Sequence, residues 1–239
     1  MKPYCIFIIT LVLSSCSLEK KYIAHNQHFE TAVQALQLKK DHFDKEHYLL
    51  FIGSSSIRLW TTAAEDLAPY QSVLRGYGGA HYYDLVHFVE RLTKGHQKAD
   101  AVFLFVANDI TGNQTQTHSD LTPAEVKRLF VNIYKKIKKQ LGAEMPIFVI
   151  ETTPTPKRWQ AWPQIAQANA LIRSYTETKK NLFYVATAAF FLDGEGQPVK
   201  DYFVSDQLHL NVQGYKLWGQ VIKTAFEAES ILNKLPRRR

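Results

Sequence analysis

A series of short, nearly continuous apolar runs constrains this chain more than any other feature. His47-Tyr48-Leu49-Leu50-Phe51-Ile52 ends in Gly53, and Ala101–Ala107, Pro146–Glu151 and Leu182–Ala186 follow it, with Ser72-Val73-Leu74 as a shorter candidate. Each run is bounded by a polar or turn signal. A strand with one wet face alternates apolar and polar residues, whereas a strand buried on both faces does not, so these runs predict a parallel sheet. Helical patterns fill the gaps. Thr122-Pro123-Ala124-Glu125 has the form of a capping box with Pro at the first helical position. Behind it, Val126, Leu129, Phe130, Ile133, Ile137 and Leu141 form one apolar stripe that stops at Gly142. Helices are also predicted over Phe29–Lys45, Tyr82–Thr93, Trp162–Thr178 and Val212–Leu232. Strand and helix in alternation give an α/β domain, with the functional site beyond the carboxyl ends of the strands.

The N-terminus reads as an address. Lys2 precedes an apolar run, Cys5 to Leu13, which is far short of the ~20 residues of a spanning helix and suits the core of a secretory signal. It closes on Leu13-Ser14-Ser15-Cys16, which resembles a bacterial lipobox, with the lipidated Cys16 as the new N-terminus. The expected division is a signal peptide over 1–15, a polar tether over 16–27, one catalytic-sized domain over 28–235 and a basic tail over 236–239. That places the protein in the cell envelope, anchored by acyl chains to the outer membrane or the outer face of the cytoplasmic membrane. Cys5 and Cys16 are the only cysteines, so the body has none for a disulfide or a thiolate metal site. The net charge of +7 gathers in Lys127–Lys139 and Arg237–Arg239. No nucleic-acid motif accompanies it, so it reads as a solvated helix face and a polar tail, with no nucleic-acid partner expected.

The residues with chemistry fall just past the predicted strands. Gly53-Ser54-Ser55-Ser56-Ile57 follows the first. A serine there is placed for nucleophilic attack, although serines at such a point also cap helices. Arg75-Gly76-Tyr77-Gly78-Gly79-Ala80 follows the second, and no Gly-Lys-Ser/Thr completes a phosphate loop. Val106-Ala107-Asn108-Asp109 follows the third. Near the C-terminus, Ser205-Asp206-Gln207-Leu208-His209-Leu210-Asn211 sets a carboxylate three residues before a histidine. That spacing can bring Asp206 to the ring and so supply a serine with an oriented base, while a helix cap and a surface histidine are the plainer alternatives. The histidines show no His-Glu-x-x-His pattern, so a zinc hydrolase is not expected.

In order and spacing these blocks, from Tyr48 to Trp218, resemble the SGNH hydrolase (GDSL-like) family, named for its Ser, Gly, Asn and His. Thr153-Pro154-Thr155-Pro156-Lys157-Arg158-Trp159 with Trp162-Pro163 and Asn169, and Asn211 with Gly214-Tyr215, look like further parts of the pattern. Ser54 stands where the family usually has Asp, and Val106 where it usually has Gly. The resemblance implies a three-layer α/β/α sandwich around a flavodoxin-like five-stranded parallel sheet of order 2-1-3-4-5. It implies Ser55 as nucleophile, His209 as base and Asp206 as its orienter. The oxyanion hole would consist of the amides of Ser55 and Gly79 and the side chain of Asn108. The serine mechanism so implied needs no metal or organic cofactor. The implied activity is carboxylic ester hydrolysis, on an acetylated carbohydrate or on a lipid, lysophospholipid or aryl ester. An inactive glycan-binding protein of the same fold is the contrasting expectation. Tyr77, Trp159 and Trp162 are candidates to line a sugar or other small-molecule site, with packing between helix and sheet as the alternative.

Overall fold

In the computed structural model, residues 18–20, 22–41, 47–112 and 120–232 are described. Cys5, Cys16, the expected signal peptide over 1–15 and the expected 236–239 tail lie outside them. Strands β1 (Tyr48–Gly53), β2 (Gln71–Gly76), β3 (Ala101–Phe105), β4 (Ile147–Ile150) and β5 (Leu182–Val185) form a five-stranded sheet of order β2-β1-β3-β4-β5. Every pairing is parallel. This is the expected α/β/α architecture, and its five strands coincide with the five apolar runs.

The two faces of the sheet divide the core. Leu50, Ile52, Val102, Leu104, Ile147 and Val149 face one side. There they meet α1 (Glu30–Leu38), α4 (Tyr82–Thr93), α5 (Pro123–Leu141) and α6 (Trp162–Thr176). Leu49, Phe51, Phe103, Phe105, Phe148 and Ile150 face the other. There they meet the short helices α2 (Ser55–Arg58) and α3 (Ala63–Asp66) with Trp60, and the long α7 (Val212–Leu232). Phe51, Phe103, Phe148 and Phe183 are register partners across β1, β3, β4 and β5. Their rings therefore stack at 4.6, 4.8 and 4.8 Å, the spacing of the strands themselves. Phe226 of α7 closes edge-on over Phe103 and Phe148 of this ladder, and Trp218 of α7 packs edge-on against Phe105.

The capping box at α5 forms as the sequence predicts, with Thr122 accepting from the Glu125 amide and Glu125 reaching back to the Thr122 amide at 2.9 Å. The lysines of α5 are less free than a solvated face requires. Lys136 donates to the Val86 carbonyl, and Lys138 to those of Ala143 and Met145. Two expectations need correction. The first helix stops at Leu38, not Lys45; residues 39–41 are non-helical, and 42–46 lie outside the described residues. The chain turns extended at Lys39 so that Asp41 can take both carboxylate bonds to Arg75, at 2.8 and 3.0 Å. The expected tether over 16–27 is also packed where it is described. Leu18 and Tyr22 are buried in the α4–α5 side of the core. The Glu19 carbonyl bonds the His87 ring at 2.9 Å, and its carboxylate accepts from Asn132 of α5 at 2.6 Å. Among the described residues no helix is long and apolar enough to cross a membrane.

Candidate active site

The carboxyl edge of the sheet gathers the loops that follow β1, β2 and β3 with the turn that precedes α7. Gly53 ends β1 hard against β3: a Cβ there would lie 1.8 Å from the Phe105 carbonyl, and φ is +150°. Only glycine allows the chain to leave β1 at that point, and the next amide, Ser54, bonds the same carbonyl at 3.0 Å. Ser54 is 1% exposed. It occupies the N-cap position of α2, yet its side chain makes no cap bond, so the cap reading of these serines does not account for them. Helix α2 is a single turn, so it offers far less dipole to an anion than a long helix would. Ser55 is half-buried, and its hydroxyl lies 2.9 Å from His209 Nε2.

His209 is held by a short turn. Asp206 Oδ1 accepts the amides of Leu208 and His209 at 2.8 and 2.9 Å, and Oδ2 lies 2.6 Å from His209 Nδ1. A carboxylate can only accept, so Nδ1 carries the proton and Nε2 is left to accept from Ser55. Burial raises the Asp206 pKa, but the bonds from the His209 ring and from the amides of His209 and Leu208 outweigh it, and the carboxyl lies below its usual range. The turn is tied to its neighbours: Asn211 accepts the Gly214 amide at the start of α7 (3.0 Å), and Tyr215 of α7 donates to the Ser56 carbonyl (2.9 Å). These contacts explain why Asn211, Gly214 and Tyr215 belong to the pattern.

The loop after β2 carries Gly79 at φ +75°, a left-handed conformation that favours glycine. The next carbonyl, that of Ala80, accepts Asn108 Nδ2 at 2.8 Å, which joins the second and third blocks. Asp109 pins the same loop from below, with both carboxylate oxygens 2.9 Å from the Tyr82 amide. Burial pushes its carboxyl up to about 7, although the charge of His81 and the Tyr82 amide draw it down. Val106, in place of the family's glycine, is 2% exposed and packs in the core.

The aromatic candidates divide. Tyr77 is 1% exposed, packed against Phe29 and Phe88, with its hydroxyl on Asp84, so it is a core residue and not a substrate platform. Trp162 packs against the core and stacks on Trp159 at 6.0 Å. Trp159 lines an open groove of about 500 Å³ with Pro156, Asp193, Lys200 and Asp201. A far smaller cavity of about 30 Å³ lies directly beside Ser55 and His209, enclosed by Thr152, Thr153, Ile165 and Leu208. Arg158 also borders it, and no catalytic or binding role for this residue is readable in the sequence. Its guanidinium donates to the Ala107 carbonyl at 2.6 Å and to Asn108 Oδ1 at 2.7 Å. Its place in the Thr153–Trp159 segment, just past β4, is the sequence signal that puts it near the site.

A family model described as "GDSL-like Lipase/Acylhydrolase family" matches residues 53–217, from the end of β1 into α7. A Streptococcus pneumonia protein whose name refers to platelet activating factor has the same fold, with TM-score 0.68 and 19% identity over 89% of this chain and 98% of that one. A GDSL-like lipase from Bacteroides thetaiotaomicron gives TM-score 0.60 and 18% identity, over 86% of this chain and 98% of that one. An acetyl xylan esterase gives 0.60 and 19%, over 74% of this chain and 98% of that one. At such identities the likeness is one of fold. No curated protein matches the chain.

Proposed function

The chain belongs to the GDSL-like lipase/acylhydrolase family and is a carboxylic ester hydrolase, and from that premise we propose that it removes a small acyl group, acetyl above all, from a carbohydrate by a Ser55-His209-Asp206 mechanism. The observation that carries the mechanism is the unbroken relay from Asp206 through both ring nitrogens to the Ser55 hydroxyl, at 2.6 and 2.9 Å. His209 takes the Ser55 proton as Oγ attacks the ester carbonyl, and Asp206 stabilises the imidazolium that forms. The amides of Ser55 and Gly79 and the side chain of Asn108 meet the oxyanion. The imidazolium then protonates the departing alcohol. Water, deprotonated by the same ring, releases the acid and restores Ser55.

The size of the cavity at Ser55 supports a small acyl group. At about 30 Å³ it is far smaller than the roughly 300–1,000 Å³ pockets that enclose larger ligands, which favours a short acyl group over a long chain. Trp159 and the polar groups of its groove suit a sugar as the alcohol, since an aromatic face with flanking carboxylates matches a ring of C–H and O–H groups. Each methylene a pocket cannot accept costs on the order of 10-fold or more in kcat/KM. In a p-nitrophenyl ester series, acetate should therefore exceed butyrate, two methylenes longer, by about 100-fold or more, with octanoate lower still. Equal rates along the series would remove the small-acyl reading and leave the esterase reading standing.

The proposal includes an acylated Cys16 as an envelope anchor, supported by the Cys5–Leu13 run and the Leu13-Ser14-Ser15-Cys16 sequence. Cys16→Ser is expected to leave the precursor uncleaved by the lipoprotein route and to abolish lipid labelling. A wild-type protein that incorporates no labelled fatty acid in a lipoprotein-processing host would sink the anchor.

A further inference from the structure

The side-chain amide of Asn108 has only one orientation open to it. A guanidinium can only donate and a peptide carbonyl can only accept. Arg158 Nη2 lies 2.7 Å from Asn108 Oδ1, and Asn108 Nδ2 lies 2.8 Å from the Ala80 carbonyl. Rotating the amide by half a turn would set its N–H groups against the guanidinium and its oxygen against the Ala80 oxygen, losing both bonds at once. Of the two Nδ2 hydrogens, one is committed to Ala80. The other is the one available to an oxygen at Ser55.

We propose that Arg158 is a positioning residue of the oxyanion hole: its guanidinium fork holds Asn108 Oδ1 and the Ala107 carbonyl together, and so locks and polarises the amide that meets the oxyanion. The proposal rests on the reading of Asn108 as an oxyanion donor. Two parallel donors in a rigid plane fix direction as well as distance. Here they grip both the side chain of Asn108 and the backbone just before it, so the donor cannot swing on its own χ angles. Withdrawal of electron density from Oδ1 by a cation strengthens the Nδ2–H donor, and does so more in a site shielded from water. Arg158 is so shielded. Burial draws its pKa down, the carboxylates of Asp120 and Asp109 oppose that, and a guanidinium remains a cation throughout. The loop that carries it is itself braced: the Arg158 amide bonds Thr155 Oγ1 at 3.3 Å, and the Lys157 amide bonds the carbonyl of Gln207, in the histidine turn, at 3.0 Å.

The test is a double-mutant cycle on short-chain ester turnover, with kcat and KM measured for the wild type, Asn108→Ala, Arg158→Ala and the double variant. Asn108→Ala should lower kcat by about 10²–10³-fold with KM little changed. Arg158→Ala should lower kcat by roughly 10–100-fold, again with KM within a few-fold, and should cost less than about 3-fold once Asn108 is already Ala. Arg158→Lys keeps charge and bulk and serves where the Ala variant does not fold. One ammonium cannot reproduce the planar fork, so it too should lose about 10-fold or more in kcat, and only while Asn108 is present. An equal loss on both backgrounds, a loss confined to KM, or a Lys variant with wild-type kcat would overturn the positioning role. Asn108→Ala with wild-type kcat would instead remove the donor reading beneath it, so the two failures are distinguishable.

Discussion

Ser55→Ala is expected to abolish ester turnover, with a loss on the order of 10⁶-fold in kcat, while Ser54→Ala and Ser56→Ala stay within a few-fold of wild type. Three consecutive serines make this the sharpest contrast available in the chain. Only Ser55 lies within bonding distance of a base, at 2.9 Å from His209. Ser54 is sealed in the interior, and Ser56 takes part through its backbone carbonyl, which receives the Tyr215 hydroxyl. A helix cap would behave differently: loss of a capping side chain costs about 1 kcal/mol of stability and spares the rate per folded molecule. A serine-directed phosphonate followed by peptide mapping reads the same question directly, and should mark Ser55 alone. A label on Ser54 or Ser56, or substantial turnover by Ser55→Ala, would overturn the mechanism.

Asp206→Asn should cost about 10⁴-fold in kcat at neutral pH while leaving the fold intact. The size of the effect follows from the tautomer. Asn keeps an oxygen for the amides of Leu208 and His209, so the turn survives. It presents an N–H to Nδ1 where the carboxylate accepted one. The ring then carries its proton on Nε2, facing Ser55, and cannot take the serine's. Nothing remains to balance the imidazolium charge either. A thermal melt close to wild type beside the lost rate would separate this electronic defect from misfolding. Asp206→Ala should differ in kind, because it also removes the acceptor that closes the turn and should lower the melting temperature. An Asn variant with a tenth of wild-type kcat or more would show that Asp206 is not what orients His209.

Strands and the relay are legible in the sequence for the same reason: their partners are close in pattern. A strand buried on both faces declares itself by its own residues, and the Asp206/His209 contact needs only a local turn. Misreadings arise where a distant partner decides. Nothing between Phe29 and Lys45 announces that Asp41 will leave the helix for Arg75, since the cause lies on β2. Tyr77 beside a glycine-rich loop looks the same from the sequence whether it faces substrate or core, and its inward direction is set by Phe29, Phe88 and Asp84. Arg158 is silent for the same reason: its bond to Asn108 joins loops after β3 and β4 that the sheet alone makes neighbours. The polar residues between Cys16 and Phe29 suggested a loose spacer, whereas Leu18 and Tyr22 act as apolar anchors against α4 and α5.

That docking sets how far the catalytic body can range. With the proposed lipid on Cys16, only Ser17 separates the attachment point from Leu18, which is already fixed to the body. Two peptide units reach no more than about 7 Å. The body would ride on the lipid headgroups like a boat on a short mooring, with its α4–α5 flank inward and little freedom to turn. Esters carried on the bilayer surface, or on polymer lying against it, would be within its reach, and those deeper in the surrounding wall or beyond it would have to come to the enzyme.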